Sequence, residues 1–182
     1  MLDITERFKA LPKNLQKAVG DAVKNHRQII TTGSIALYLY GIIPLRNFND
    51  VDFVVPKAKD VKRLKDVFSA AEVPYDITVR GSQIIAPSDN EESENYRRGV
   101  INGVPCCIFI DKSFSYRKVK VGGTFIYLSE PAKIIAAKVQ YVLELDLMDK
   151  IENGLTAARA YRRLKHLSDI ALWAKSSITT PL

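Results

Sequence analysis

The sequence predicts an α+β fold with a mixed sheet, flanking helices and a C-terminal helical tail. The chain has 182 residues, of which 47% are hydrophobic and 26% charged, as in ordinary globular domains. Helical periodicity and short β-prone runs alternate up to residue 128, and only helical periodicity follows. We therefore expect a core over residues 1–128 and a helical segment packed on it over residues 129–182.

The amino-terminal third is predicted to alternate helices and strands. Apolar residues at helical spacing indicate the helices, and β-prone runs bounded by glycine or proline indicate the strands. Gly41 is expected to end the second helix, and Pro56 the second strand. The predicted elements are a helix over 13–26, a strand over 28–32, a short buried helix over 35–40, a strand over 51–55 and an amphipathic helix over 57–71.

The middle of the chain is predicted to contain short strands, and the end to contain two helices. Asn102-Gly103 is a strong hairpin signal, because both residues tolerate positive φ. Ser129 is expected to cap the first of the two helices, with Pro131 in its first turn. The predicted strands cover 75–80, 83–86, 98–101, 104–110, 116–121 and 124–128, and the last helix covers 155–175.

Charge and composition narrow the class of protein. A net charge of +7 and a pI near 9.4 favour a polyanionic partner such as nucleotide phosphates or RNA. The adjacent Cys106 and Cys107 are expected to be small buried hydrophobes in a reducing compartment, which predicts a cytoplasmic protein. The sequence contains neither an apolar run of about 18 residues nor a signal peptide's apolar region, so no contact with a membrane is expected.

Two short motifs carry the predicted chemistry. Asp50 and Asp52 begin the strand over 51–55, and residues two apart in a strand share a face. Two adjacent carboxylates repel each other unless a cation lies between them, and carboxylate oxygens suit Mg²⁺ or Mn²⁺. Gly33-Ser34 joins a strand to a helix, where free backbone N–H groups and a hydroxyl suit a phosphate. Together the motifs predict metal-dependent transfer of a phosphoryl or nucleotidyl group.

Gly33-Ser34 followed by Asp50-Val51-Asp52 resembles the signature of the DNA polymerase beta-like nucleotidyltransferase superfamily. Arg46, the run Ile134-Ile135-Ala136-Ala137-Lys138-Val139 and the helical run 163–170 are similar to the abortive-infection-type (AbiEii-like) nucleotidyltransferase toxins. The resemblance covers roughly residues 28 to 173.

The resemblance implies roles for particular residues. Asp50 and Asp52 would hold two divalent cations, Mg²⁺ or Mn²⁺, that bridge a nucleoside triphosphate. Gly33, Ser34 and Lys138 would bind the phosphates. A third carboxylate on a neighbouring strand is typical of the superfamily, as metal ligand or general base.

Asp111 is the preferred candidate for this third carboxylate, because it ends an apolar strand, and Asp76 is the competitor. The acceptor could be tRNA or another RNA, a protein hydroxyl or a small molecule, and a toxin-like protein would have an antitoxin partner.

The chain also departs from the pattern of these toxins. Fifteen residues separate Ser34 from Asp50, which is a longer loop than usual. Phe48 stands where serine or threonine is common, and His166 stands where a second aspartate is expected. The last departure bears on how much of the toxin mechanism applies to this chain.

Several alternatives stay open. Lys138 could extend its ammonium to water instead of binding a nucleotide. Asp169 could pair with Arg162, Arg163 or Lys165, although a structural role in fixing the helical tail against the core is preferred. The chain could be a catalytically inactive binding module that keeps the fold. It could also be an aminoglycoside-type small-molecule nucleotidyltransferase, with local negative charge supplied by Glu91, Glu92 and Glu94.

Overall fold

The computed structural model describes residues 3–26, 28–61, 68–70, 78–80, 83–85, 96–152 and 157–179. The chain divides into two compact units. The first contains Met1–Val73 and Glu92–Lys133, and the second contains Pro74–Glu91 and Ile134–Leu182. The sequence-based boundary after Leu128 stays a prediction, and the division into compact units falls slightly later, after Lys133.

The described residues form helices and single strands at first, then a run of consecutive strands, and finally two helices. The helices are α1 (Ile4–Ala10), α2 (Lys13–Asn25), α3 (Gly33–Leu39), α4 (Ala58–Val61), α5 (Pro131–Glu152) and α6 (Ala157–Thr179). The strands are β1 (Ile30–Thr32), β2 (Val51–Val55), β3 (Phe68–Ala70), β4 (Thr78–Arg80), β5 (Gln83–Ile85), β6 (Tyr96–Ile101), β7 (Val104–Ile110), β8 (Tyr116–Val121) and β9 (Thr124–Ser129).

A seven-stranded sheet in the order β3-β6-β7-β2-β1-β9-β8 forms the body of the first unit. β2 is parallel to β7, β1 is parallel to β9, and β1 is antiparallel to β2. The sheet is therefore mixed, which confirms the predicted α+β class. β4 and β5 form a separate antiparallel pair.

The core of the first unit lies against the central strands. Phe53 and Val55 of β2 are fully buried, as are Ile108 of β7 and Leu128 of β9. Helix α2 buries the apolar stripe that its sequence periodicity predicts, with its polar residues on the other side. That stripe consists of Leu15, Ala18, Val19, Ala22 and Val23.

The predicted hairpin at Asn102-Gly103 is confirmed. Asn102 has φ of 51° and Gly103 has φ of 78°, and they join β6 to β7 in register with Ile101 opposite Val104. Two consecutive residues with positive φ match the right-handed twist of the flanking strands, which is why this dipeptide favours a tight hairpin.

Two local predictions need correction. Phe68–Ala70 is strand β3, paired antiparallel with β6, where a helix over 57–71 was predicted. Pairing with a sheet edge outweighs helical periodicity in so short a segment. Ser129 belongs to β9 and does not cap α5, which begins at Pro131.

Helix α1 was not predicted, although Asp3 caps it by accepting a hydrogen bond from the Glu6 N–H at 2.9 Å.

Helices α5 and α6 make up most of the second unit and are joined by ion pairs. Lys138 Nζ lies 3.0 Å from Asp169 Oδ2, and Arg163 Nη2 lies 2.6 Å from Asp146 Oδ1. Within the described part of the chain, no helix is both long and apolar enough to cross a membrane.

We expect Gly20→Ala to stabilise the first unit. Gly20 lies inside α2, and a Cβ added there meets no atom within 4 Å. Alanine favours a helix interior over glycine by about 1 kcal/mol, so the free energy of unfolding should rise by about that amount in urea denaturation. Gly103→Ala is the matched control. It also has open space, but its φ of 78° strains any side chain, so its stability should fall.

Candidate nucleotide and metal site

The turn between β1 and α3 holds the first predicted site residue, Gly33. Its φ is +65°, a conformation that favours glycine. A Cβ built on Gly33 would overlap Oδ2 of Asp52 and would lie 2.9 Å from its Cγ and 3.0 Å from its Cβ. The backbone of the Gly33 turn is therefore packed directly against the Asp52 carboxylate, and a larger residue at position 33 would displace that carboxylate.

The register of the sheet explains this contact. Thr32, the last residue of β1, is paired with Asp52 of β2 in the antiparallel ladder. The residue that follows Thr32 in the chain is thus placed beside the same carboxylate. The two sequence motifs, separated by a long loop, are brought together by this single strand pairing.

Asp50 and Asp52 flank a buried residue at the start of β2. Both aspartates are partly exposed, whereas Val51 between them is fully buried, as strand alternation predicts. Burial, together with the smaller effects of the charges on Cys107, Asp52 and Asp50, raises the pKa of the neighbouring Cys106 thiol to about 12. The start of β2 is thus a region of concentrated negative charge, which suits a cation.

The long loop before Asp50 folds back onto α3. Arg46 Nη2 donates a hydrogen bond of 2.8 Å to Ser34 Oγ. The guanidinium carbon of Arg46 lies 5.8 Å from the Phe48 ring centroid, and the buried Phe48 ring lies 5.7 Å from that of Tyr38. These contacts place a fixed positive charge at the Gly33-Ser34 turn. The hydrogen bond to Ser34 was not foreseen, since spacing alone does not show how a loop folds.

Asp111 is not brought to the two aspartates. Asp52 is paired with Cys107, four residues before Asp111, and the Asp111 N–H donates to the Val55 carbonyl at the far end of β2. With a rise of about 3.3 Å per residue, Asp111 lies roughly 13 Å along the strand from Asp52.

The carboxylate of Asp111 has a local structural role. Its Oδ1 accepts hydrogen bonds from the N–H and the hydroxyl of Ser113, at 2.8 and 2.7 Å. This is the geometry of an Asx turn, which shapes the chain after β7. The structure therefore argues against the predicted role of Asp111 as third carboxylate, and the competitor Asp76 lies outside the described residues.

Cys107 occupies the position on the neighbouring strand that faces Asp52. Paired residues of parallel strands point to the same side of a sheet, so Cys107 shares a face with Asp52. The sequence alone places Cys107 and Asp111 on one face, because they are four residues apart and every second residue of a strand points to the same side. The strand register needed to choose between them is a property of the folded sheet.

The residues present fit one nucleotide-bound cation. Mg²⁺ is commonly held by one or two carboxylates together with substrate phosphates and water, and Asp50 and Asp52 supply two carboxylates. The described residues contain no group of three or more His, Cys, Asp or Glu arranged to hold a metal ion. A cation at this site would therefore need ligands from the nucleotide.

Lys138 is buried in the second unit and does not extend to water. Its ammonium lies 3.0 Å from Oδ2 of the fully buried Asp169 and 3.1 Å from Nδ1 of His166. Asp169 of α6 thus pairs with Lys138 of α5, and its preferred role in fixing the helical tail against the core stays a prediction. The role of Lys138 in nucleotide binding stays a prediction.

No protein-family model matches the chain, and no curated protein matches its sequence. Among solved structures, one similar protein is a candidate nucleotidyltransferase from Thermotoga maritima, at 19% identity and a TM-score of 0.48; the match covers 76% of this chain and 90% of that one. Another is an antigenic nucleotidyltransferase-like protein from Paracoccidioides brasiliensis, at 13% identity and a TM-score of 0.47, covering 91% of this chain and 78% of that one. Neither similarity assigns an activity to this chain.

Proposed function

We propose that this chain binds a nucleoside triphosphate together with Mg²⁺ or Mn²⁺ and transfers the nucleoside monophosphate to an acceptor. The observation that carries the proposal is the direct packing of the Gly33 turn against Asp52. A phosphate at the turn would lie beside the carboxylate that holds its cation. This juxtaposition is what nucleotidyl transfer requires, and it supports the resemblance to the DNA polymerase beta-like superfamily.

Each residue of the site has a separate task in this proposal. Asp50 and Asp52 hold the cation, which when bound neutralises charge on the phosphates. The backbone of Gly33 approaches the triphosphate closely because it has no side chain. Arg46 orients the Ser34 hydroxyl through its 2.8 Å hydrogen bond and adds positive charge opposite the phosphates.

The acceptor and the biological role depend on the sequence resemblance and the charge. The net charge of +7 favours RNA, such as tRNA, over a cationic small molecule. The toxin-like role, an antitoxin partner and a cytoplasmic location are part of the proposal on the same resemblance. The acidic residues Glu91, Glu92 and Glu94 of the aminoglycoside-type alternative lie outside the described residues.

One observation favours a second candidate, a nucleotide-binding module that transfers nothing. The position facing Asp52 on β7 is Cys107, and Asp111 lies at the other end of the strand pair. Without a third carboxylate, neither a second cation nor a general base is supplied by β7. The two candidates share nucleotide binding and differ in group transfer.

We expect Asp52→Asn to abolish metal-dependent nucleotide binding. The substitution keeps the shape of the side chain and removes the charge that holds the cation. Titration calorimetry with ATP and Mg²⁺, with and without EDTA, measures the loss. Asp111→Asn is the matched control, since it removes a carboxylate from the same sheet far from the turn, and it should bind as the wild type does. Equal binding by wild type and Asp52→Asn would overturn the proposal.

Group transfer separates the two candidates. Incubation with ATP labelled at the α-phosphate, Mg²⁺ or Mn²⁺ and total cellular RNA should label the RNA, and Asp50→Asn and Asp52→Asn should remove the label. Nucleotide binding without label on RNA, on protein or on small molecules would identify the chain as a binding module.

A further inference from the structure

The hairpin of β8 and β9 presents a second surface with a chemistry of its own. Tyr116 and Phe125 are each 48% exposed, although large aromatic side chains are usually buried. Lys118 and Lys120 are exposed beside them, and Tyr127 is partly exposed. We call these five side chains the aromatic–lysine face.

The strand register shows that these five residues share one side of the sheet. Lys118 is paired with Tyr127 and Lys120 with Phe125, and Tyr116 lies two residues before Lys118 on the same strand. Paired residues of an antiparallel ladder point to the same side, as do residues two apart. The opposite side of the hairpin is the buried one, where Val121, Ile126 and Leu128 enter the core.

Rings and cations are in contact on this face. Lys118 Nζ lies 4.2 Å from the centroid of the Phe125 ring, and the Tyr116 and Tyr127 rings meet edge to face with centroids 5.1 Å apart. The face is thus an ordered surface of aromatic rings with ammonium groups between them.

All the charged residues of the β8–β9 hairpin are basic. Residues 116–129 contain Arg117, Lys118 and Lys120 and no aspartate or glutamate. An isolated cluster of exposed lysines is usually a solvated surface. Rings interleaved with the lysines add flat apolar surface that a cluster of solvated lysines lacks.

We propose that the aromatic–lysine face binds an unpaired segment of an RNA chain, with bases stacked on Tyr116 and Phe125 and phosphates at Lys118 and Lys120. Surfaces for single-stranded nucleic acids combine stacking rings with cations that follow the backbone, which is the pattern of this face. An acidic peptide would satisfy the lysines and leave the rings without planar partners. The RNA is therefore the better match.

The face also lies on the same side of the sheet as the candidate nucleotide site. Tyr127 is paired with Ile30, and Asp52 is paired with Thr32, which is two residues from Ile30 on β1. Two strand spacings of about 4.8 Å and two residues along β1 separate Tyr127, the residue of the face on the nearer strand and at the nearer level, from Asp52 by roughly 12 Å. The inference rests on the proposed function, and it assigns RNA with an unpaired segment as the acceptor.

Fluorescence anisotropy with a labelled 12-nucleotide RNA of mixed sequence, in EDTA and without nucleotide, tests the proposal on the full chain. Loss of one stacking ring typically weakens binding roughly 5- to 150-fold, so we expect that range for Phe125→Ala. Lys118→Gln and Lys120→Gln should each make the negative slope of log K against log salt shallower by about 0.7. Lys112→Gln is the matched control, because it removes an exposed lysine next to β7, three strands away from β9.

Three results would overturn the proposal. Unchanged RNA affinity in Phe125→Ala would show that the ring takes no part. Equal affinity for the same sequence as a perfect duplex would show that unpaired bases are not read. Displacement by polyglutamate at equal charge concentration, with the same dependence on Phe125, would identify a protein ligand.

The failure of this proposal and of the proposed function are distinguishable. RNA binding in EDTA should be the same in Asp52→Asn and the wild type, whereas calorimetry with ATP and Mg²⁺ should be unaffected by Phe125→Ala. Thermal melting of each variant by circular dichroism checks that the half-exposed Phe125 is replaced without unfolding the chain.

Discussion

Replacing Gly33 with alanine is expected to abolish metal-dependent nucleotide binding and to lower stability. The new Cβ would overlap the Asp52 carboxylate, and the φ of +65° would cost an alanine about 1–2 kcal/mol. Either the carboxylate leaves its place or the turn between β1 and α3 shifts. Both outcomes separate the two groups whose contact defines the site.

Calorimetry with ATP and Mg²⁺ measures the binding, and urea denaturation measures the stability. Gly122→Ala is the matched control, because Gly122 has φ of +57° but no atom within 4 Å of an added Cβ. It should lose only the stability that positive φ costs an alanine, and it should keep nucleotide binding. If Gly33→Ala binds the nucleotide as well as Gly122→Ala does, the contact with Asp52 is unrelated to nucleotide binding.

Lys138→Met is expected to destabilise the second unit strongly. It removes the ammonium that lies 3.0 Å from the fully buried Asp169 carboxylate. Removing one member of a buried pair typically costs about 3–5 kcal/mol, because the remaining charge stays out of water. The double variant Lys138→Met/Asp169→Leu should recover much of this loss, since neither charge of the pair then remains.

Thermal and urea unfolding of the full chain measure these changes. Arg163→Met is the matched control, because its ion pair with Asp146 also joins α5 to α6 but is more than one-third exposed on both sides. Pairs of that kind contribute less than about 1 kcal/mol. A loss in Lys138→Met no greater than in Arg163→Met would contradict the structural role of the buried pair.

Local patterns predicted most of the elements. The alternation at 51–55 and the run at 104–110 gave strands with the predicted bounds, and Asn102-Gly103 gave the predicted hairpin. In these segments the conformation that the residues favour locally is the one that pairing in the sheet requires. Phe68–Ala70 differs, because its pairing with β6 depends on residues about 30 positions away that no local pattern contains.

The candidate site was predictable in part for the same reason. The positions of Gly33 and Asp52 follow from a glycine turn and a strand start, and the structure brings them into contact. Asp111 and Cys107 are an even number of residues apart, so β-strand alternation places both on the same face. Only the register of β7 against β2 decides which of them lies beside Asp52. Lys138 and Asp169 meet through the packing of two helices, which helical periodicity alone does not determine.

The position of β1 in the sheet has a consequence for synthesis on the ribosome. β1 lies between β2 and β9, and its Ile30 is bonded in register with Tyr127. At about 5–20 residues per second, roughly 5 to 20 s pass between the synthesis of these two partners. Throughout that interval one edge of β1 lacks its native neighbour. The amino-terminal strands therefore depend on the nascent chain staying unaggregated until β9 emerges.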